Sequence, residues 1–378
     1  MHVVIAPDKF KGSLTAAEAA DHLAAPFRAA GVRVTTVPMA DGGEGTVEAA
    51  LAAGYDAVPV PVTGPLGAQV RARYAFNAGT GTAVVEMALA SGLAMTNGTD
   101  LDARNSTSRG TGELIAHALD AGARRIILGV GGSASTDGGA GMMEGLGANL
   151  YDASGNRLAS GGISLAELGR VDLHALHPAV EQTDFVLAAD VNNPLLGETG
   201  AAAVYGPQKG AEPATVAELD AALATWERIL REAGRVEESD ARAPGAGAAG
   251  GVGYAAIALL GAHREAGVDV VLELTGFAEK VAGADLVITG EGSLDEQSLH
   301  GKTPVGVAEA AARAGARTIA VAGRTNLSRD QVRSAGIEDR YQILEIEPDP
   351  QVAMTAAGPL LEKLGEQIVA DYVRQEQK

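Results

Sequence analysis

The stretch from Asp285 to Ala311, DLVITGEGSLDEQSLHGKTPVGVAEAA, holds the residue types that can bind a phosphate. Leu286-Val287-Ile288-Thr289 is a short apolar, β-branched run and predicts a buried strand. Gly290-Glu291-Gly292-Ser293 is expected to break it, because paired glycines permit a sharp turn and a close backbone approach. Gly301-Lys302-Thr303-Pro304 then predicts a helix start, with Thr303 as N-cap and Pro304 as the first helical residue. Strand, glycine loop and helix start together offer unpaired N–H groups and a helix dipole to an anion, and Lys302 adds a full charge. A purely structural turn would use the same residues.

The spacing differs from the Walker A phosphate loop. That motif places four residues between its first glycine and Gly-Lys-Ser/Thr, whereas eight separate Gly292 from Gly301. Other loops carry similar chemistry. Lys9 and Lys11 lie in PDKFKGS, after the predicted strand Val3–Ala6 and before a helix opened by a Thr15/Glu18 capping box. In open α/β sheets ligands bind at such strand ends. Asp41 and Glu44 lie in ADGGEGT; they suit a metal or a substrate hydroxyl, and equally a helix N-terminus. Ser133, Ser135 and Asp137 sit among small residues in GGSASTDGGAG, where backbone can approach a ligand. Asp190, with Asn192 and Asn193, ends the predicted strand Phe185–Ala189; it suits proton acceptance, magnesium ligation or a capped turn. Lys209 lies in GPQKG.

Composition limits the classes of function. The formal charge of −19 argues against nucleic acid or an anionic membrane as partner, since both need a basic face. An anion site in such a chain must rest on local positive charge, and four of the seven lysines (Lys9, Lys11, Lys209, Lys302) fall in glycine-containing loops. There is no cysteine, hence no disulfide, thiolate metal site or thiol nucleophile. No signal peptide or membrane span is visible, so a cytoplasmic setting is expected.

At 378 residues, two domains are expected. A core of Ala, Val, Leu and Ile with only 3% aromatics suits helices packed on parallel strands. The βα rhythm of residues 1–57 stops where Val58–Thr63, Val70–Phe76 and Thr82–Met87 predict an antiparallel meander, and it resumes near residue 285. The expected fold is therefore α/β with two domains. A Rossmann-like domain with a parallel sheet comprises 1–57 and 285–378, and an inserted domain with a mixed sheet comprises 58–284. A dinucleotide fingerprint is missing, which disfavours a dehydrogenase.

The segments APDKFKGSL, ADGGEGT, GVGGSASTDGGAGM, ADVNNPLLG, GPQKGA, PGAGAAGGVG and ITGEGSLDEQSLHGKTP, in this order across nearly the whole chain, resemble the bacterial glycerate kinase family. The resemblance implies ATP- and Mg²⁺-dependent phosphorylation of D-glycerate, to 2-phosphoglycerate or 3-phosphoglycerate, in the cleft between two α/β domains. It implies small-molecule partners and a monomer or homodimer. On this footing Lys9 and Lys11 are expected to hold a phosphate or the glycerate carboxylate. Gly290, Gly292, Lys302, Thr303 and Lys209 are expected to bind the nucleotide, and Glu291 and Asp295 the metal. Asp190 takes the hydroxyl proton, while Ser133, Ser135, Asp137, Asn192 and Asp41 line the glycerate side. A kinase for another small hydroxy or sugar acid, or a non-enzymatic hydroxy-acid binder, is the alternative.

Overall fold

The computed structural model describes residues 1–299 and 302–373, so Gly301 of the expected phosphate motif lies outside the described residues. The strands in chain order are β1 (His2–Pro7), β2 (Arg33–Thr36), β3 (Asp56–Thr63), β4 (Gln69–Asn77), β5 (Thr82–Glu86), β6 (Arg125–Gly129) and β7 (Asn149–Asp152). They continue with β8 (Leu168–Asp172), β9 (Asp184–Ala188), β10 (His263–Glu265), β11 (Leu286–Leu294), β12 (Arg317–Thr325) and β13 (Asp339–Gln342). The chain divides into two compact units: Met1–Asp41, Glu48–Gly54 and Ala266–Lys378 form the first, Gly42–Val47 and Tyr55–Glu265 the second.

The first unit is built on a five-stranded sheet of order β13-β12-β11-β1-β2, parallel throughout. A parallel sheet is covered on both faces, which is why β1 reads as an unbroken apolar run and is buried along its length. One face takes helix α1 (Ala16–Ala29), whose Ala19, Ala20, Leu23 and Phe27 are buried with Leu361 and Leu364 of the last long helix. Burying Leu23 and Phe27 contributes about 1.5–3 kcal/mol each. The capping box expected at Thr15 and Glu18 is present, with Glu18 N donating to Thr15 Oγ1 at 3.2 Å. The other face takes Gly267–Leu274 and Phe277–Val281, whose Val271, Phe277 and Val281 share a core with Val4, Val287 and Val307. For this reason the second boundary falls at Ala266 rather than at Asp285.

One expectation is corrected here. Gly290–Ser293 does not break the strand: β11 continues to Leu294, with Gly290 opposite Val321 and Ser293 opposite Arg324 of β12. A Cβ on Gly290 would lie 2.0 Å from the Val321 carbonyl oxygen, so the glycine serves strand approach rather than a turn. A further strand, β13, is short, because the chain leaves it in a single tight turn at Ile343–Glu345.

The second unit is built on a six-stranded mixed sheet, order β10-β9-β6-β5-β4-β3. The expected meander is its antiparallel part, β3-β4-β5, and β5, β6, β9 and β10 run parallel. β3 is an edge strand with prolines at alternate positions, Pro59 and Pro61. Helix α2 spans Arg109–Asp120. Helix α3 (Pro213–Glu232) buries Trp226, as a core tryptophan. In PGAGAAGGVG, Ala249, Gly250 and Gly251 take left-handed backbone conformations inside helix α4 (Ala248–Leu260), consistent with a close-packed turn.

Candidate active site

The first unit carries a cavity of about 650 Å³, within the usual range for small-molecule sites. Its charged wall is made at the carboxyl ends of β1 and β11, by Asp8, Lys9, Lys11, Glu291, Asp295 and Lys302. Asp41 and Arg324 also line it. The expectation that Lys9, Lys11, Lys302, Glu291 and Asp295 gather is therefore met, and Asp41 joins this group within the first unit. Parallel register explains the meeting, because Pro7 lies opposite Gly290 and the two strands end side by side.

Asp8 ties the wall together and was not singled out by sequence reasoning. Its backbone N–H donates to Gly290 O at 2.7 Å. Its carboxylate accepts from Lys9 N at 2.6 Å and from Thr303 Oγ1 at 2.9 Å. Thr303 is thus not the N-cap of helix α5 (Thr303–Arg313). Lys302 holds the cap position in extended conformation, and the Thr303 hydroxyl turns to Asp8 instead. Lys302 therefore enters the cavity at the start of α5, where the helix dipole favours an anion.

Burial, reinforced by Asp41 and opposed by Lys9, pushes the Asp8 carboxyl up to about 7. Burial likewise pushes Glu291 up to about 7, against the pull of the Ser298 hydroxyl and Lys302 and with Asp295 and Asp41 adding to the rise. Glu291 Oε1 is buried without a hydrogen-bond partner, an unusual state for a carboxylate oxygen unless a ligand completes it. Asp295 is partly engaged, since its Oδ1 accepts from Gln297 N at 2.9 Å and Ser298 N at 3.4 Å.

The glycine-rich loop of the second unit uses its charges differently. Asp137 is buried, and its Oδ2 accepts from Ser108 N at 2.7 Å, Ser108 Oγ at 2.8 Å and Gly141 N at 3.3 Å. Its Oδ1 accepts from Gly139 N at 3.2 Å. The Thr107 hydroxyl donates to the same Oδ2 at 3.5 Å, and with these donors on it Asp137, expected on the glycerate side, pins the loop to α2. Gly138 has φ of 63°, and its carbonyl accepts from Trp226 Nε1 at 3.1 Å.

Lys209, expected to bind the nucleotide, lies in the second unit. It is 1% exposed, and its ammonium donates to the Ser135 carbonyl beneath the loop. Burial lowers its pKa to about 7, against the pull of Asp137. Ser135 is fully buried, and its Oγ and that of Thr136 lack partners. Ser133 is 8% exposed. Asp190 and Asn192 are exposed beyond β9, on a segment held by Arg264 Nη1 donating to Val191 O at 3.0 Å.

Against this geometry stand the comparisons with known proteins. The profile of the Glycerate kinase family matches residues 3–373. The chain belongs to the glycerate kinase family. Like other family members it is an enzyme of the kinase class, and its fold is shared: a structure from Salmonella typhimurium LT2, assigned as glycerate kinase 2, superposes with a TM-score of 0.85 at 40% identity over 100% of both chains. The chain is 44% identical to the Glycerate 2-kinase of Escherichia coli (strain K12) over 91% of each chain. It is 43% identical to a Glycerate kinase of Halalkalibacterium halodurans over 97% of each. Among the described residues no helix is long and apolar enough to cross a membrane.

Among those residues, too, no three acidic or histidine side chains form a ready-made metal cluster. Mg²⁺ in phosphoryl-transfer sites takes one or two carboxylates together with waters and substrate phosphates. The unpartnered Glu291 Oε1 beside Asp295 fits that pattern.

Proposed function

We propose that this chain transfers the γ-phosphoryl group of ATP to the C2 hydroxyl of D-glycerate, giving 2-phosphoglycerate and ADP. The observation that carries the reading is the gathering of Lys9, Lys11, Lys302 and Glu291 around one cavity, in a chain of which residues 3–373 match the family. The choice of the C2 oxygen follows the Escherichia coli relative, which is named a 2-kinase. The setting proposed is the cytoplasm.

Phosphoryl transfer asks for positioned groups and cancelled charge more than for covalent help. Lys9, Lys11 and Lys302 hold the phosphates electrostatically, and the start of α5 turns backbone N–H groups towards them. Glu291 and Asp295 would hold Mg²⁺, which when bound neutralises charge between the β- and γ-phosphates. Gly292 keeps a side chain out of the cavity floor beside the Phe10–Lys11 backbone, and Gly290 lets β11 lie close to β12. Asp190 accepts the proton as the glycerate oxygen bonds to the γ-phosphorus and the bond from that phosphorus to the bridging oxygen breaks. Ser133 and Asn192 orient the acceptor.

Phosphorus NMR of the product made from D-glycerate and MgATP tests the whole reading. A 2-phosphoglycerate resonance is expected. A 3-phosphoglycerate resonance would correct the position attacked, and no phosphoester at all would overturn the assignment. Asp190→Asn should lower kcat by about 10²–10³-fold, the range for loss of a general base, without moving Tm.

A further inference from the structure

The cavity of the first unit has a second wall that the charged residues do not explain. It is formed by Ile343, Leu344, Pro350, Ala353, Met354 and Ala357. These come from the tight turn after β13 and from the helices that follow it, Pro350–Thr355 and Ala357–Ile368. None of the six side chains carries a hydrogen-bonding N–H or O–H group. Met354 is 50% exposed. Exposed apolar side chains at the mouth of a charged cavity are a mark of a ligand surface.

The two walls are joined by one loop. Lys9 and Lys11 flank Phe10, which lines the cavity, and the same turn brings Gly12 under Met354. A Cβ on Gly12 would lie 3.0 Å from the Met354 methyl carbon. The apolar wall thus adjoins the lysine loop within one cavity, and a ligand anchored on the lysines by an anionic end lies alongside it.

D-glycerate has no apolar face for such a wall and would fill only a small part of about 650 Å³. A nucleoside triphosphate has an anionic end and a flat, weakly polar aromatic end. Methionine suits the second, since its thioether is polarisable and packs on aromatic rings.

We propose that Met354, with Leu344 and Pro350, forms the nucleobase subsite of the phosphate donor, so that the first unit binds the whole nucleotide. This rests on reading the chain as an ATP-dependent kinase. The ordering within the cavity follows: triphosphate on Lys9, Lys11 and Lys302, base on the apolar wall. Because the wall's side chains offer no hydrogen bond to a base edge, ATP is held there by contact area.

The test compares Met354→Asn and Met354→Leu with the parent enzyme, using ATP, D-glycerate and inorganic tripolyphosphate. Met354 is half-exposed, so both variants should fold, and circular dichroism melts check this. Expected is a rise of about tenfold in the KM for ATP in Met354→Asn, the size of one lost side-chain contact, and near-parent behaviour in Met354→Leu. Inhibition by tripolyphosphate, which has the charge but no base, should stay within about twofold in all three proteins. A KM for ATP that does not move, a tripolyphosphate inhibition constant that moves in parallel, or a change confined to the KM for D-glycerate would each overturn the base subsite. If no D-glycerate is phosphorylated at all, titration with fluorescent 1,N6-ethenoadenosine triphosphate still reads the wall directly. Weaker binding by Met354→Asn would then keep the subsite while the glycerate kinase reading fell.

Discussion

Each unit sets a glycine-containing segment and a lysine near the carboxyl ends of its parallel strands, and the two use them in opposite ways. In the first, Lys9, Lys11 and Lys302 face a cavity, and Glu291 keeps a buried oxygen without a partner. In the second, Asp137 is covered by five donors and Lys209 is turned inward to a carbonyl of its own chain. Asp, Lys and Gly in a loop are therefore poor guides to a ligand site by themselves. The number of a charge's hydrogen-bond valences that the fold already uses separates a binding group from a scaffold group.

The contrast can be broken by substitution. Lys302→Ala should lower kcat/KM for D-glycerate phosphorylation by about 10³-fold and leave Tm unmoved, as for loss of a charge that acts on the transferred group. Equal loss of stability and activity would make Lys302 a scaffold residue. Asp137→Ala should do the reverse. It strands the amides of Ser108, Gly139 and Gly141, and should cost about 3 kcal/mol in urea unfolding, while the KM for ATP of the folded fraction stays within about twofold. A stable but inactive Asp137→Ala would return that residue to the ligand side.

Two buried ionisable groups, Asp8 and Lys209, give opposite pH signatures. Burial raises the folded pKa of Asp8 from its ordinary 3.8 to about 7. The native state therefore holds a proton that the unfolded chain has released, and the stability linked to Asp8 is fully present below about 3.8 and is lost as pH rises through about 7. Asp8→Asn should flatten the fall in Tm of the ligand-free protein between pH 5 and pH 8. A Tm profile unchanged by Asp8→Asn would show that this carboxyl ionises at its ordinary pH. Lys209 is lowered from 10.5 to about 7, so its contribution runs the other way: stability increases from pH 7 towards pH 10, where the unfolded chain alone still holds the proton. Lys209→Met should abolish that rise and cost about 1 kcal/mol at pH 8, the net value of one hydrogen bond to a carbonyl. This is the smallest of the effects, and a large loss of nucleotide affinity in its place would reinstate Lys209 as a ligand.

Much of the architecture was legible because it depends on local pattern. The Thr15/Glu18 box, the apolar run of β1, the meander from β3 to β5 and the return of the βα rhythm near the end all read directly. The charged wall was legible as a list of strand-end residues. Asp8 was missed although it sits beside Lys9, because its signal is burial and its partner Thr303 is distant in sequence. Gly290 was misread because a glycine pair suits a turn and a close strand neighbour equally, and only β12 decides between them. The burial of Lys209 was not legible because GPQKG looks like an exposed turn until the loop it supports is folded over it. The apolar wall left no motif at all, since Leu344, Pro350 and Met354 meet the lysines only through the fold.

The prolines at positions 59 and 61 of β3 carry a consequence for self-association. Neither can donate a backbone hydrogen bond, and both stand at alternate positions of the outermost strand. At the opposite margin, β10 is three residues long. Neither border of this sheet offers a template on which a strand from another molecule could add, so copies of this chain that pair would not do so by extending the second unit's sheet into a shared ladder.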